Sequence, residues 1–224
     1  MTKIIICGAH GRMGQLLVSC AKEDPSFEIV GTVDSGGDLS AVISRADVVI
    51  DFTTAPASEA LAKIVANNRK ALVIGTTGHT TAQRDAILGA VQKIPVVWSA
   101  NFSTGVNVLF YITDLVAKLL PDAGVEVSET HHTKKKDAPS GTAKRLQEIL
   151  KLVRKEDVLV HSSRIGDVVG DHTVTFSTPD ETLELRHHAV DRATFARGAL
   201  VAAKWVAKKK PGLYDMQDVL GLKK

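Results

Sequence analysis

The stretch from Ile4 to Gly14, IIICGAHGRMG, decides the fold expected for the N-terminal half of the chain. The apolar run Ile4–Cys7 predicts a buried β-strand, and the pattern from Arg12 onward predicts a helix. Between them, three glycines let the backbone turn tightly and come close to other groups. Their spacing is G-x-x-G-x-x-G rather than the usual G-x-G-x-x-G, so a turn that only joins strand to helix stays an alternative.

Short apolar runs continue to alternate with helical patterns as far as Trp98. Buried parallel strands that alternate with helices form a doubly wound parallel sheet of the Rossmann type, so the sequence predicts an α/β fold. The predicted strands are Ile4–Cys7, Phe27–Val33, Asp47–Asp51, Ala71–Ile74 and Pro95–Trp98, and the predicted helices are Arg12–Lys22, Ala57–Asn67 and Thr81–Gln92.

The pattern changes after Asn101, where a long helix is followed by a helix and a hairpin. This order predicts a second, α+β domain. Its predicted elements are the helix Gly105–Leu120, the strand Val125–Thr130, the helix Gly141–Val153 and the hairpin strands His172–Ser177 and Thr182–His188; a further helix, Phe195–Ala207, comes after them.

Composition excludes several classes of function. A net charge of +3 over 224 residues, with 4% aromatic residues, argues against a nucleic-acid partner. No apolar run approaches the length of a membrane span, and two cysteines cannot form a disulfide framework. A reduced, cytoplasmic protein without a membrane partner is expected.

The glycine turn and Asp34 together predict a dinucleotide cofactor. Asp34 ends the second predicted strand, where an acid hydrogen-bonds an adenosine ribose. Ser35 and two glycines follow it instead of the Arg that would favour a 2′-phosphate, so NADH is preferred over NADPH. Two later strand ends, Gly75-Thr76-Thr77-Gly78 and Ser99-Ala100-Asn101-Phe102-Ser103, are candidates to line the nicotinamide, although each read alone is an ordinary loop.

The segment from Glu126 to Ala143, EVSETHHTKKKDAPSGTA, predicts a pocket for an anion that receives protons. Histidine exchanges protons near neutral pH, and lysine supplies a full positive charge. The turn Ser140-Gly141-Thr142 is expected to cap a helix whose first amides bind a carboxylate or phosphate. Adjacent histidines beside three lysines repel a cation and lack carboxylate or thiolate spacing, which argues against a metal.

The same segment resembles the signature of the 4-hydroxy-tetrahydrodipicolinate reductase (dihydrodipicolinate reductase) family of lysine synthesis through diaminopimelate. The resemblance extends to GAHGRMG, to DFT at Asp51–Thr53, to GTTG at Gly75–Gly78, to NFSTGVNVL at Asn101–Leu109, and to RIGDVVGDHTVTF and GLYDMQDVLGL, so it covers nearly the whole chain.

That resemblance implies an NAD(P)H-dependent reductase of a small cyclic dicarboxylate, commonly a homotetramer. It implies a Rossmann domain of residues 1–102 completed by about 196–224, and a substrate-binding and oligomerisation domain of residues 103–195. By motif position, His131 would be the acid/base residue and Lys135 the proton donor. The substrate carboxylates would be bound by His132, Lys135, Ser140, Gly141 and Thr142, and the cofactor by Gly8, Ala9, His10, Gly11, Arg12, Met13, Asp34, Gly75, Thr76, Thr77, Ser99, Ala100, Asn101 and Phe102.

Two other functions stay open. Another Rossmann dehydrogenase of a small amino or carboxylic acid would share the glycine turn and Asp34, but would have no need for the His-Lys segment. A non-catalytic dinucleotide sensor is the second alternative. The chain also departs from the family: it is short between Asp34 and Asp47 and between Arg154 and Arg164, and His10 is bulkier than the small residue usual there.

Overall fold

The structure, a computed structural model, describes residues 1–154 and 156–223. The chain divides into two compact units: Met1–Thr104 with Ala193–Lys224, and Gly105–Arg192. The predicted domain roles stay predictions, and Lys224, the last residue of the first predicted domain, lies outside the described residues. In chain order the elements are β1 (Thr2–Cys7), α1 (Arg12–Glu23), β2 (Phe27–Val33), β3 (Val48–Asp51), α2 (Ala55–Asn67), β4 (Ala71–Ile74), α3 (Thr81–Val91), β5 (Pro95–Trp98), α4 (Thr104–Leu119), β6 (Gly124–His131), α5 (Gly141–Val153), β7 (Leu159–Arg164), β8 (Asp171–Ser177), β9 (Thr182–His188), α6 (Ala193–Val206), β10 (Gly212–Tyr214) and α7 (Met216–Val219), with short 3-10 helices at Leu39–Ala41 and Ile43–Arg45.

The described part of the first unit contains a six-stranded sheet in the order β10-β5-β4-β3-β1-β2, and its strand pairs are parallel. The chain order reverses on either side of β1, which is where ligands bind in open α/β sheets. This architecture confirms the predicted Rossmann-type parallel sheet.

Alternate residues of the same strands pack into different cores. In β1, Ile4 and Ile6 join the core that contains α1 and α6, whereas Ile5 and Cys7 join the core that contains α2 and α3. Because helices cover both faces of the sheet, consecutive buried positions such as Ile4–Cys7 are apolar on both sides of the strand. The uninterrupted apolar runs in the sequence have this cause.

The second unit contains a four-stranded sheet in the order β7-β6-β8-β9. β7 runs parallel to β6, and β8 and β9 are antiparallel to their neighbours. Apolar side chains from α4 and α5 pack on one face of this sheet, against residues such as Val127, Val174 and Phe176. The mixed sheet with helices on one face confirms the predicted α+β second domain.

Three elements differ from the expectations. β7 was not expected, because its sequence LVHSSR is largely exposed and lacks apolar alternation. The short elements β10 and α7 follow Pro211, and their sequences carry too few residues to give a periodic pattern. His131 was expected to follow a strand, but it is the last residue of β6 and is buried.

Across the described residues, no helix combines the length and the apolar character needed to cross a bilayer.

Candidate functional site

The glycine turn after β1 is packed so closely that side chains cannot replace two of its hydrogens. Gly8 has a φ of +80°, and a Cβ added there would lie 2.4 Å from the carbonyl oxygen of Phe52. A Cβ on Gly14 would lie 2.0 Å from the carbonyl oxygen of Gly8. α1 begins directly after Gly11, which provides no side-chain cap. The first amides of this helix therefore have no side-chain cap, and the binding of an anion there stays a prediction.

Asp34 lies beside this turn, as expected from its position after β2. The backbone amide of His10 donates to Asp34 Oδ1 at 3.0 Å, and His10 Nδ1 lies 3.4 Å from Asp34 Oδ2. The His10 side chain is otherwise 90% exposed, and Arg12 is also exposed. The structure thus brings Asp34 and the turn Gly8–Met13 together within one unit.

The loop after β4 is held by a buried carboxylate that sequence reasoning did not single out. Asp51 Oδ1 accepts hydrogen bonds from the hydroxyl of Thr76 at 3.0 Å and from the amide and hydroxyl of Thr53 at 2.9 and 2.6 Å. A Cβ on Gly75 would lie 2.2 Å from the ring of Phe52. The predicted residues Gly75 and Thr76 are therefore fixed by their neighbours, and Thr77 next to them is exposed.

The loop after β5 is ordered by its own side chains. Ser99 Oγ donates to the carbonyl oxygen of Asn101 at 2.8 Å, and Asn101 Oδ1 accepts from the amide of Ser103 at 2.9 Å. Ala100 is exposed. Phe102 is buried in the core, with its ring centroid 5.7 Å from that of Phe52, so a contact of its side chain with a cofactor stays a prediction.

In the second unit, Glu129 is the centre of a buried polar network. Its side chain is fully buried, and Arg164 donates to both of its oxygens at 2.9 Å. His131 Nδ1 and the amide of Ser140, the latter at 3.2 Å, also hydrogen-bond this carboxylate. Glu129 and His131 lie two residues apart on β6 and so face the same side of the sheet.

These contacts determine the ionisation of the network. Burial acts to raise the pKa of Glu129, but hydrogen bonds from Arg164, His131 and Ser162 outweigh it and lower that pKa to about 2. Burial lowers the pKa of His131 below 6.5, with help from the charges of Lys135 and Arg164, although Glu129 acts in the opposite direction. An ionised Glu129 beside a neutral His131 results near pH 7.

Ser140 is the N-cap residue of α5, and it links this helix to a second buried histidine. Its hydroxyl oxygen accepts from the amide of Ala143 at 3.2 Å and lies 3.1 Å from His172 Nε2. Gly141 is exposed and Thr142 half-buried, in the first turn of the helix. The predicted helix cap at Ser140 is therefore present.

Lys135 differs from the other two lysines of the triplet. Its side chain is 22% exposed and its Nζ lies 2.8 Å from Asp137 Oδ1, an ion pair that lowers the pKa of Asp137. Lys134 and Lys136 are exposed, and His132 is half-buried. The segment thus presents one partly buried cation among solvated ones.

Sequence reasoning missed Glu129, Arg164 and His172 as members of this site. A usable signal existed for Glu129, because a charged residue two positions before His131 on a half-buried strand must also point inward. Arg164 and His172 reach the site only through strand pairing, opposite His131 and Glu129 respectively. Within the residues that the structure describes, no cluster of His, Cys, Asp or Glu is suited to a metal ion.

A glycine turn before an uncapped helix, an acid after β2 and a second unit with a His-Lys network are features of the class of two-unit Rossmann-fold reductases. Two family models match this chain. The model described as "Dihydrodipicolinate reductase, N-terminus" matches residues 2–102, and "Dihydrodipicolinate reductase, C-terminus" matches residues 105–220. This chain belongs to the dihydrodipicolinate reductase family, whose members use NADH or NADPH.

Relatives that are named as reductases match this chain over its full length. A 4-hydroxy-tetrahydrodipicolinate reductase of Methanocorpusculum labreanum is 46% identical over 251 aligned positions, which cover 99% of this chain and 100% of the relative. That of Akkermansia muciniphila is 45% identical and covers 99% of both chains. Dipicolinate-bound dihydrodipicolinate reductase from Paenisporosarcina sp. TG-14 shares the fold, with a TM-score of 0.83, 24% identity, and coverage of 97% of this chain and 98% of that one.

Proposed function

We propose that this protein reduces 4-hydroxy-tetrahydrodipicolinate to tetrahydrodipicolinate with NADH or NADPH, a step of lysine biosynthesis through diaminopimelate. The observation that carries the proposal is the network around Glu129, His131 and Ser140, which lies in a segment matched by the family model. The names of the relatives, at up to 46% identity over full length, supply the substrate.

The substrate is a cyclic dicarboxylate, so it needs two sites of positive potential. Lys135 and His132 supply side-chain donors, and the start of α5 at Ser140, Gly141 and Thr142 supplies backbone amides with the positive end of the helix dipole. Gly141 suits this role because a Cβ there would meet nothing within 4 Å, which leaves room for a ligand beside the backbone.

We assign the transfer of protons during the reaction to His131 and Lys135. A neutral His131 that donates through Nδ1 to Glu129 carries its lone pair on Nε2, where it accepts a hydrogen bond or a proton. Lys135 is a cation with a partly buried stem, and it donates the proton that the reduced ring requires. His131 therefore acts as the acid/base residue and Lys135 as the donor.

The cofactor residues are proposed to be Gly8–Met13, Asp34, Gly75–Thr77 and Ser99–Phe102. A dinucleotide cofactor fits these residues, because the start of α1 lacks a side-chain cap and side chains are excluded at Gly8 and Gly14. NADH or NADPH supplies the hydride. Asp34, with 23% of its side chain exposed, is suited to accept from a ribose hydroxyl and would repel a 2′-phosphate, which favours NADH.

The chain is further proposed to act in the cytoplasm as a homotetramer that assembles through its second unit. Two alternatives compete with the main proposal. Another Rossmann dehydrogenase would not need two anion-binding positions around His131, and a dinucleotide sensor would not need a proton donor.

One assay tests the function: initial rates with NADH and with NADPH on substrate generated in situ. We expect faster turnover with NADH, and a fall in kcat of about 100-fold or more in Lys135→Ala, because a positioned acid contributes about that much. NADH binding, followed by fluorescence, should not change in this variant. The matched control is Lys136→Ala, which removes an exposed lysine from the same triplet and should keep wild-type rates.

Three results would contradict parts of the proposal. Wild-type kcat in Lys135→Ala would remove the lysine assignment. An absence of turnover in a wild-type protein that still binds NADH would favour the sensor, and turnover of a different small acid would favour another dehydrogenase.

A further inference from the structure

We propose that Glu129 is a positioning residue of the reductase: it selects which nitrogen of His131 faces the substrate and ties that histidine to the start of α5. The inference rests on the proposed function, because the role it assigns to Glu129 is exerted through His131 and Ser140. Glu129 itself is fully buried and so cannot contact a substrate.

Glu129 binds groups that come from three different elements. Its carboxylate receives hydrogen bonds from His131 on the same strand, from Arg164 at the end of β7 and from the amide of Ser140 at the start of α5. Arg164 and Ser140 are 35 and 11 residues away in sequence. One carboxylate thus joins the proposed proton-exchanging residue to the proposed carboxylate-binding turn.

Glu129 also determines which ring nitrogen of His131 carries the hydrogen. A carboxylate with a pKa of about 2 is ionised and can only accept hydrogen bonds, so Nδ1 must carry the hydrogen and Nε2 the lone pair. Nε2 lies close to Gly170, because a Cβ added there would be 2.9 Å from this nitrogen. A side chain at position 170 would therefore crowd the nitrogen that carries the lone pair.

Arg164 balances the charge of Glu129 and also contacts the loop that carries Lys135. Arg164 binds both oxygens of Glu129 in a bidentate pair and also donates to the carbonyl oxygen of Asp137 at 2.5 Å. Asp137 is the residue that pairs with Lys135. Arg164 therefore neutralises Glu129 and at the same time holds the loop that carries the proposed proton donor.

A purely structural role for Glu129 would affect stability without changing the state of His131. The conservative variant Glu129→Gln separates the two roles. The measurement is nitrogen-15 NMR of labelled histidines, in which the signal of His131 is assigned because it disappears in His131→Gln. We expect neutral His131 to carry its hydrogen on Nδ1 in the wild type and to shift toward the Nε2–H form in Glu129→Gln. The matched control is Glu148→Gln, an exposed glutamate of α5 whose Oε2 lies 2.9 Å from Arg145 Nη1; it should leave His131 unchanged.

Kinetics give a second readout. Glu129→Gln should lower kcat on the order of 100-fold while the KM for NADH stays at the wild-type value. The charged and titratable groups that face His131 are Glu129 on its own strand, Lys135 from the loop, Arg164 from β7 and His172 from β8. Because Glu129 is the group among these that raises the pKa of His131, its loss should shift the acidic limb of the kcat profile to lower pH.

If Glu129→Gln does not fold, Glu129→Asp keeps the charge beside Arg164 and withdraws the carboxylate by about 1.5 Å, so the same change in His131 is expected. An unaltered Nδ1–H signal in either folded variant would overturn the positioning role. A wild-type protein without reductase activity, but with the Nδ1–H signal lost in Glu129→Gln, would contradict the proposed function alone. A lower melting temperature with unchanged kcat and tautomer would show that Glu129 is structural only.

Discussion

His172 shows how a single side chain can be made neutral by its surroundings. It is buried on β8, within 3.1 Å of the Ser140 hydroxyl oxygen, and its ring centroid is 5.1 Å from that of His131. Burial, assisted by the nearby His131, lowers its pKa from 6.5 to about 3. The neutral imidazole next to the ionised Glu129 keeps the network from gaining positive charge in weak acid.

This shift predicts a loss of stability in weak acid. Because the folded pKa of His172 lies below the unfolded value of 6.5, its contribution is complete above pH 6.5 and is lost as the pH falls toward 3. Between about pH 7 and about pH 5, the loss should reach about 2 kcal/mol in the free energy of unfolding. Glu129 adds little in this window, since its own contribution is lost only below its unfolded pKa, nominally 4.5.

The measurement is urea unfolding at both pH values, followed by circular dichroism. Tryptophan fluorescence does not serve, because Trp98 and Trp205 both belong to the first unit and His172 to the second. His172→Gln should reduce the acid loss, whereas His161→Gln, at an exposed position, should retain it. Equal acid losses in all three proteins would remove His172 as the cause.

The N-terminal end of α5 is both capped by Ser140 and tied to the buried network around Glu129. Ser140 caps the helix through the amide of Ala143, and the same residue has its amide bound by Glu129 and its hydroxyl next to His172. The rest of the helix packs into the core of the second unit through Leu146 and Leu150. The position of the proposed carboxylate-binding amides is therefore set by the core below them.

A pair of cap variants separates these tasks. Ser140→Ala should cost about 1 kcal/mol of stability through the lost cap and should also raise the KM for the dicarboxylate, with the affinity for NADH unchanged. Thr80→Ala removes the equivalent cap of α3, where Thr80 and Gln83 form a capping box, at a similar cost and without a change in substrate KM. Equal substrate KM values for the two variants would contradict the role of Ser140 in binding.

Among the described residues of the second unit, α4 and α5 pack on one face of the sheet, and the other face carries exposed side chains. Glu126 and Ser128 on β6 are exposed, as is Leu159, the partner of Glu126 on β7. The opposite face carries the core residues that pack against α4 and α5. This open face is the surface through which we propose that the homotetramer assembles.

Sedimentation velocity tests that assembly. The apparent molecular mass of the wild type should be four times the chain mass of 24.0 kDa. Ser128→Lys introduces a charge at the centre of the open face and should yield smaller species, since like charges would be buried against each other. Ser40→Lys makes the same change on the exposed surface of the first unit and should leave the tetramer intact. A monomeric wild type would overturn the proposal.

The sequence by itself determined the architecture of the first unit, because a sheet covered on both faces requires continuous apolar strands such as β1, β3 and β4. It also determined the glycine turn, since the close contact at Gly14 leaves no space for a side chain. His131, Lys135 and Ser140 were found from one short segment, whose mixture of residue types has a chemical rather than a packing reason.

The partners that the His-Lys segment meets in the fold, by contrast, follow only from the tertiary structure. The Glu129–Arg164 pair spans 35 residues and depends on the pairing of β6 with β7, a strand whose sequence has no apolar alternation. Asp51 meets Thr76 across 25 residues in the same way, through neighbouring parallel strands. Local sequence patterns report which face of an element is buried, but the partner it meets there is fixed by strand register and packing across the fold.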